Sequence, residues 1–208
     1  LLHRFVEFDV QEHEDMYSRT LKNAPRMVRT AVHGHETAFR DVELERNGVT
    51  FRFRGSVDRV EIGVDDRFAG SETFLAAVDY KSTKYSAPGG GDKRAWDDAV
   101  VLQVPLYAYA LTKEHPGATI ARVEYRALRK PEAVHRLELY QVTKAGLVEN
   151  AEAVERMERA LDAVADHVKR ARSGEFPAEP AESCGCPSFC ASLEICRIPG
   201  GPRSKRHG

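Results

Sequence analysis

Residues 76–83 read AAVDYKST, and both the fold and the chemistry turn on them. Ala76, Ala77 and Val78 run straight into Asp79, and Lys81 follows two positions on. Side chains two apart on a strand share a face, so Asp79 and Lys81 project together from the end of an apolar strand. Taken alone, the triplet also fits an exposed strand end carrying a surface ion pair. The preceding strand shifts that balance. GSVDRVEI (55–62) sets Asp58 inside a second apolar run. Neighbouring strands lie about 5 Å apart. Two carboxylates at that spacing repel unless a cation sits between them. Hard Mg²⁺ prefers carboxylate oxygens, alongside water and substrate phosphate. An ammonium beside such a centre can orient or help deprotonate a water there, or neutralise charge developing on a phosphate. Asp58, Asp79 and Lys81 together suit phosphodiester cleavage.

Upstream, HETAFRDVELER (35–46) and VTFRFRGSVDRVEI (49–62) alternate as strands around Asn47-Gly48, a strong hairpin signal. With TFLAAVDYK (73–81) they predict a three-strand meander, the turn-rich 64–72 lying between the second and third strands. Residues 1–22 read as a helix, with His3 and Glu7 on one face. Residues 23–34, with Pro25 and Gly34, read as irregular. Downstream, STKYSAPGGGDKRAW (82–96) is a loop by its glycines. Residues 97–115 have helical period, with Pro105 expected in the first turn or at a kink. ATIARVEYRAL (118–128) and VHRLELYQV (134–142) read as strands, and 144–173 as a long amphipathic helix. The expected fold class is α/β, a mixed β-sheet flanked by helices, followed by a tail.

The chain has 208 residues, 42% hydrophobic and 30% charged, which suits a soluble globular protein of one large or two small domains. Its net charge of −1 gives no global basic signature for nucleic acid. No apolar run approaches the roughly 18 residues that span a membrane. The opening LLHRFVEFDV has neither the basic start nor the cleavage site of a signal peptide and reads as mid-helix. A cytoplasmic location and a missing preceding segment are the expectations.

Cys184, Cys186, Cys190 and Cys196 crowd into a C-x-C-x3-C-x5-C cluster. With no export signal, such a cluster suggests metal rather than disulfides. Thiolates suit both iron–sulfur clusters and Zn²⁺; the C-x-C spacing argues mildly against a zinc knuckle.

GSVDRVEI, AAVDYKST and LQVPLYAYAL (102–111), preceded by LLHRFVE (1–7), resemble the successive motifs of the PD-(D/E)XK nuclease superfamily in its RecB/AddB-like branch. The resemblance runs from Leu1 to the cysteines and implies a restriction-endonuclease-like fold. It implies that Asp58 and Asp79 ligate Mg²⁺ or Mn²⁺ together with His3 and the backbone carbonyl of Tyr80. Lys81 would be the catalytic lysine. Gln103 and Tyr107, one helical turn apart, would face the active site and support the metal and the DNA strand. The branch holds a 4Fe-4S cluster with one cysteine ahead of the histidine and three after the core, spaced C-x2-C-x5-C. Here the second gap is x3, and the upstream cysteine would precede Leu1, so either Cys184 is the fourth ligand or that ligand lies elsewhere. The implied division is 1–173 as nuclease core and 174–208 as a cysteine-rich metal-binding tail closing onto it.

The implied function is a DNA nuclease, an exonuclease in preference to an endonuclease, attached to a helicase domain or subunit that processes double-strand breaks. A DNA-end-binding module with weak or no catalysis and a self-standing CRISPR adaptation-type exonuclease are the alternatives. DNA contacts are expected from Arg52, Arg54, Arg59, Arg122, Arg126, Arg129, Lys130 and Arg136, and from Lys84, Lys93 and Arg94 of the glycine loop. Trp96 reads as an anchor packing that loop onto the long helix, and Tyr109 as a core or interface aromatic.

Overall fold

Gly63 and Phe74 face each other across adjacent strands, and the phenyl ring lies where a Cβ on residue 63 would stand. That close approach sits in the middle of a five-stranded sheet. In the computed structural model, the described residues are 2–18, 28–65, 72–84, 87, 93–96, 99–143 and 145–176. Helix α1 (Leu2–Ser18) comes first. Strands β1 (Val28–Arg46), β2 (Val49–Asp65) and β3 (Glu72–Lys81) follow. After a short 3-10 turn (Lys93–Ala95) come α2 (Gln103–Glu114), β4 (Thr119–Ala127) and β5 (Glu132–Glu138). A small hairpin of β6 (Tyr140–Thr143) and β7 (Gly146–Glu149) leads into α3 (Ala151–Arg172).

The sheet order is β1-β2-β3-β4-β5. All pairs are antiparallel except β3 with β4, which run parallel. Parallel neighbours need a crossover, and α2 supplies it. Both strands of the parallel pair are buried almost throughout, as strands covered on two faces must be. The mixed α/β sheet flanked by helices is therefore present.

The β1–β2 turn is as its sequence predicts. Asn47 (φ 51°) and Gly48 (φ 75°) both take left-handed backbone, the signature of a two-residue type I′ turn, with Arg46 paired to Val49. Arg46 and Asn47 then hold the turn to α3. Arg46 Nε donates to Asp162 Oδ1 at 2.5 Å, and Asn47 Nδ2 to the same oxygen at 2.8 Å. These bonds, that to Arg46 foremost, hold the Asp162 carboxyl below its ordinary range.

Several boundaries differ from the sequence reading. β1 begins at Val28, since residues expected to be irregular pair with β2 as far as Val28–Asp65. α2 begins at Gln103 rather than at 97, with Ala99 in left-handed backbone just before it. Pro105 thus falls in the first turn, where its missing N–H costs nothing. Residues 145–149 are not helical. Leu139 interrupts the run expected as one strand (134–142), and Tyr140–Thr143 pairs instead with Gly146–Glu149 as β6–β7. Asn150 then caps α3 through its side chain, which accepts from Ala153 N. Residues 177–208, with all four cysteines, lie outside the described residues.

Candidate active site

The two faces of the sheet carry different chemistry. On one face Val60 pairs with Ala77 and Ile62 with Leu75, building an apolar layer under α2. Asp79 continues the same face of β3, and Asp58 that of β2. Their ladder ends at Arg59–Val78, and beyond it the Tyr80 backbone N–H donates to Asp58 Oδ2 at 2.6 Å. The carboxylate of Asp58 thus replaces the next ladder bond and brings itself to the end of β3.

Asp79 is only 6% exposed. Tyr107 O–H donates to its Oδ1 at 3.2 Å. Lys81 Nζ stands 2.6 Å from its Oδ2. That contact is an ion pair outside hydrogen-bond geometry, and among the described residues buried Oδ2 has no hydrogen-bond donor. Lys81 Nζ also donates to Gln103 Oε1 at 3.2 Å, and Gln103 Nε2 to the Tyr107 oxygen at 2.5 Å. Asp79, Lys81, Gln103 and Tyr107 close into a ring of polar contacts. The amide in the apolar run VVLQVPL is explained by it, since a buried amide must find partners. Gln103 and Tyr107 reach the same centre because they lie one turn apart at the start of α2. Burial, then the charge of Asp79, push the Tyr107 phenol well above its ordinary range, so it stays a donor.

Tyr125 belongs to this site and was not among the residues expected in it. Parallel pairing sets Tyr125 directly beside Asp79. Its O–H donates to Gln103 Oε1 at 3.1 Å, and its ring lies 4.6 Å from Lys81 Nζ. No local motif marks it; only the crossover through α2 brings β4 alongside β3. The same crossover hangs an exposed loop at the site's edge. Leu128 N donates to Lys81 O and Arg129 N to Ser82 O, so exposed Arg129 and Lys130 stand at the carboxyl ends of both strands. Ligands of open α/β sheets bind there.

The opposite face carries a buried charge network. Glu124 and Arg126 are 0% exposed and joined at 2.8 Å. Arg136 Nε reaches Glu124 Oε2 at 2.5 Å, and Arg122 lies beside it. Arg59 bonds Glu61, and Asp9 of α1 takes both Arg59 Nη1 and Arg126 Nη1 at 2.5 Å. The expectation that Arg59, Arg122 and Arg126 contact DNA is thereby corrected: their guanidiniums neutralise acids inside the protein, while Arg136, a third exposed, pairs with Glu124 from the edge of the network. Burial alone would raise Glu124, but Arg122, Arg126 and Arg136 outweigh it and hold the carboxyl below its ordinary range.

Helix α1 belongs to that second face. Phe5 packs edge-on against Tyr80 at 5.6 Å, and Asp9, one turn on, meets the arginines. His3 and Glu7 occupy the other side of α1. Nδ1 of His3 lies 3.2 Å from Glu7, and the His3 side chain is 83% exposed. The structure therefore brings Asp58, Asp79, Lys81, Gln103 and Tyr107 together and leaves His3 outside. Trp96 packs on the core with Arg156 of α3 over its ring, and Tyr109 donates to Glu43 O beside Phe53, both as anchors.

Among the described residues, no cluster of three His, Cys, Asp or Glu side chains forms a metal site. Asp58 and Asp79 nonetheless fit a hard cation. Mg²⁺ commonly takes only one or two carboxylates, with water and substrate phosphate completing its shell. Buried Asp79 Oδ2, which has no hydrogen-bond donor among the described residues and is partly neutralised by Lys81, is the atom such a cation would complete. The Tyr80 carbonyl lies in the chain between Asp79 and Lys81. No helix among the described residues is long and apolar enough to cross a membrane. The sequence profile of the PD-(D/E)XK nuclease superfamily matches residues 3–197. A comparison with curated proteins gave no match.

Proposed function

The chain belongs to the PD-(D/E)XK nuclease superfamily, which implies a metal-dependent nuclease, and from that premise we propose that it hydrolyses DNA phosphodiesters using Mg²⁺ or Mn²⁺ held by Asp58 and Asp79. The observation that carries the reading is Lys81, fixed between Asp79 Oδ2 and Gln103 Oε1 at the open end of the parallel strands.

A bound divalent cation supplies Lewis acidity at the scissile phosphate and lowers the cost of ionising water there. The protein's own residues do the rest. Asp58 is aimed by the Tyr80 N–H, and Asp79 by the Tyr107 hydroxyl. Lys81 presents a compact positive charge beside them, which offsets charge gathering on the phosphate oxygens. Gln103 keeps that ammonium from folding away. Arg129 and Lys130 favour a polyanion at the rim by charge alone.

The finer reading is that of a RecB/AddB-like end-processing nuclease acting as an exonuclease, working with a helicase domain or subunit at double-strand breaks. The motif order and the cysteine cluster that follows the core support it, though the x3 gap departs from the branch's x2. In that reading residues 174–208 close onto the core 1–173 through a 4Fe-4S cluster on Cys184, Cys186, Cys190 and Cys196, with Zn²⁺ as the alternative metal. His3 would join the metal site only if α1 turned from its present face.

The test is end-labelled linear DNA, duplex and single-stranded, with Mg²⁺ or Mn²⁺. Native protein should shorten the label from an end, and Asp79→Ala should leave the DNA intact. Equal cleavage by both proteins, or by neither, removes the assignment; binding of ends without cleavage favours the end-binding alternative. An anaerobic absorption spectrum separates the two cluster chemistries: a broad visible band marks iron–sulfur, and a colourless zinc-containing protein rules it out.

A further inference from the structure

We propose that Tyr125 is a positioning residue for the reaction, holding Lys81 with its ring face and Gln103 with its hydroxyl. The proposal rests on the nuclease reading of this site and adds to it a residue that no motif supplies.

Lysine is a point charge on a flexible stem, so its placement depends on what surrounds it. Among the described residues, three groups meet the Lys81 ammonium. Asp79 Oδ2 and Gln103 Oε1 are polar, and the Tyr125 ring, 4.6 Å away, is the third. An aromatic face attracts an ammonium, most strongly where water is excluded. Tyr125 is fully buried. Once Asp79 serves a cation, its hold on Lys81 is shared, and the ring and Gln103 become the anchors that keep the ammonium in place. The Tyr125 hydroxyl acts in the same sense. It donates to Gln103 Oε1 at 3.1 Å, so two donors converge on that oxygen and set which end of the amide faces Lys81.

The sheet is shaped to hold this ring. Strand β5 carries an extra residue: Val123 pairs with Leu137 but Tyr125 pairs with Val134. His135 sits in that bulge with φ 49°, in left-handed backbone. Such backbone is disfavoured for a residue with a Cβ and persists where the surroundings fix it. The bulge sends Arg136 to Glu124 on the far face and His135 to Tyr125 on the near one. The His135 ring stands edge-on to Tyr125 at 6.3 Å and to Trp96 at 5.9 Å. A row from Trp96 through His135 thus backs Tyr125 against Lys81.

The experiment compares Tyr125→Phe and Tyr125→Leu with the native protein by two readouts. The first needs no cleavage: NMR of the Lys81 ε-methylene in metal-free protein, assigned by Lys81→Arg. The ring-current upfield shift should be present in native protein and Tyr125→Phe and lost in Tyr125→Leu. The second is the kinetics of DNA cleavage with saturating Mg²⁺. Tyr125→Leu should lower kcat about tenfold or more with KM for DNA little changed. Tyr125→Phe should recover most of that loss, remaining a few-fold slow for want of the Gln103 bond. A Lys81 signal with no upfield shift in native protein overturns the proposal, as does native kcat in Tyr125→Leu or a loss confined to KM. If Tyr125→Leu fails to fold, a native kcat in Tyr125→Phe with unmoved Gln103 side-chain amide signals overturns the hydroxyl's part, and the native Lys81 shift decides the ring's. Native protein that shows the Lys81 shift but cleaves no DNA sinks the nuclease reading and leaves the contact standing.

Discussion

The backbone N–H of Tyr80 donates to Asp58 Oδ2 at 2.6 Å, so a carboxylate on β2 ties down the strand that carries Asp79 and Lys81. One oxygen of Asp58 therefore has a structural task, whatever the other does. The two tasks separate by substitution. Asp58→Asn keeps an acceptor for Tyr80 but loses the charge; it should fold with near-native stability and fail to cleave DNA. Asp58→Ala should lose cleavage and also roughly 1.5–3 kcal/mol of stability, the scale of a hydrogen bond to a charged group. Urea melts of both variants check this; equal stability of the pair would remove the structural role.

Asp79 predicts the response to metal. Its Oδ2 has Lys81 as neighbour and no hydrogen-bond donor among the described residues, and it lies on the same face as Asp58. A cation that binds only the folded protein raises its stability by mass action. Mg²⁺ or Mn²⁺ at a hundred times its dissociation constant should stabilise the native chain by about 2.7 kcal/mol. Asp79→Asn should show little of that gain. The measurement is thermal melting against metal concentration, with the metal-free melts of both proteins as reference. An equal gain in the variant places the cation elsewhere.

Arg129 and Lys130 predict the salt dependence of DNA binding. Both are exposed, on the loop whose backbone is bonded to Lys81 and Ser82. Replacing each by Ala should weaken binding across all sequences and reduce the slope of log affinity against log salt by about 1 for each phosphate no longer neutralised. Cleavage rate at saturating DNA should hold. Titrations at several salt concentrations decide it, and an unchanged slope would show that DNA does not cross this loop.

Much of this site is visible in the sequence because its residues sit on local patterns. Asp79 and Lys81 share a strand face by alternation, Gln103 and Tyr107 share a helix face by the turn, and Asn47-Gly48 fixes the hairpin that carries Asp58. Tyr125 escapes such reading because its place depends on a parallel pairing made through α2. The β6–β7 hairpin escapes for another reason: its strands are short, and the helical period of α3 runs on from them. The charges in ARVEYRA (121–127) mislead by resembling a solvated face. Arg122, Glu124 and Arg126 do share a face, but it is closed over them, and only long-range partners such as Asp9 and Glu61 make that burial tolerable.

That buried face gives the sharpest stability prediction. Glu124 is enclosed among Arg122, Arg126 and Arg136, with Arg126 itself held by Asp9 of α1. Removing one partner of a buried ion network leaves charge uncompensated, at a cost of about 3–5 kcal/mol. Glu124→Gln should destabilise the protein by that order at neutral pH. The pH dependence follows from the same charges. Their attraction lowers the Glu124 carboxyl in the folded protein, so its contribution is complete above the ordinary glutamate range, near pH 4.3, and is lost as acid titrates the folded form. Between neutral pH and that range the variant and native proteins should therefore differ by a constant amount. Below it the native protein should lose stability more steeply than Glu124→Gln, and the gap should narrow. Urea melts from pH 7 downward measure the gap directly; a gap that widens in acid would mean that Glu124 binds its proton more readily in the folded state than in the unfolded one.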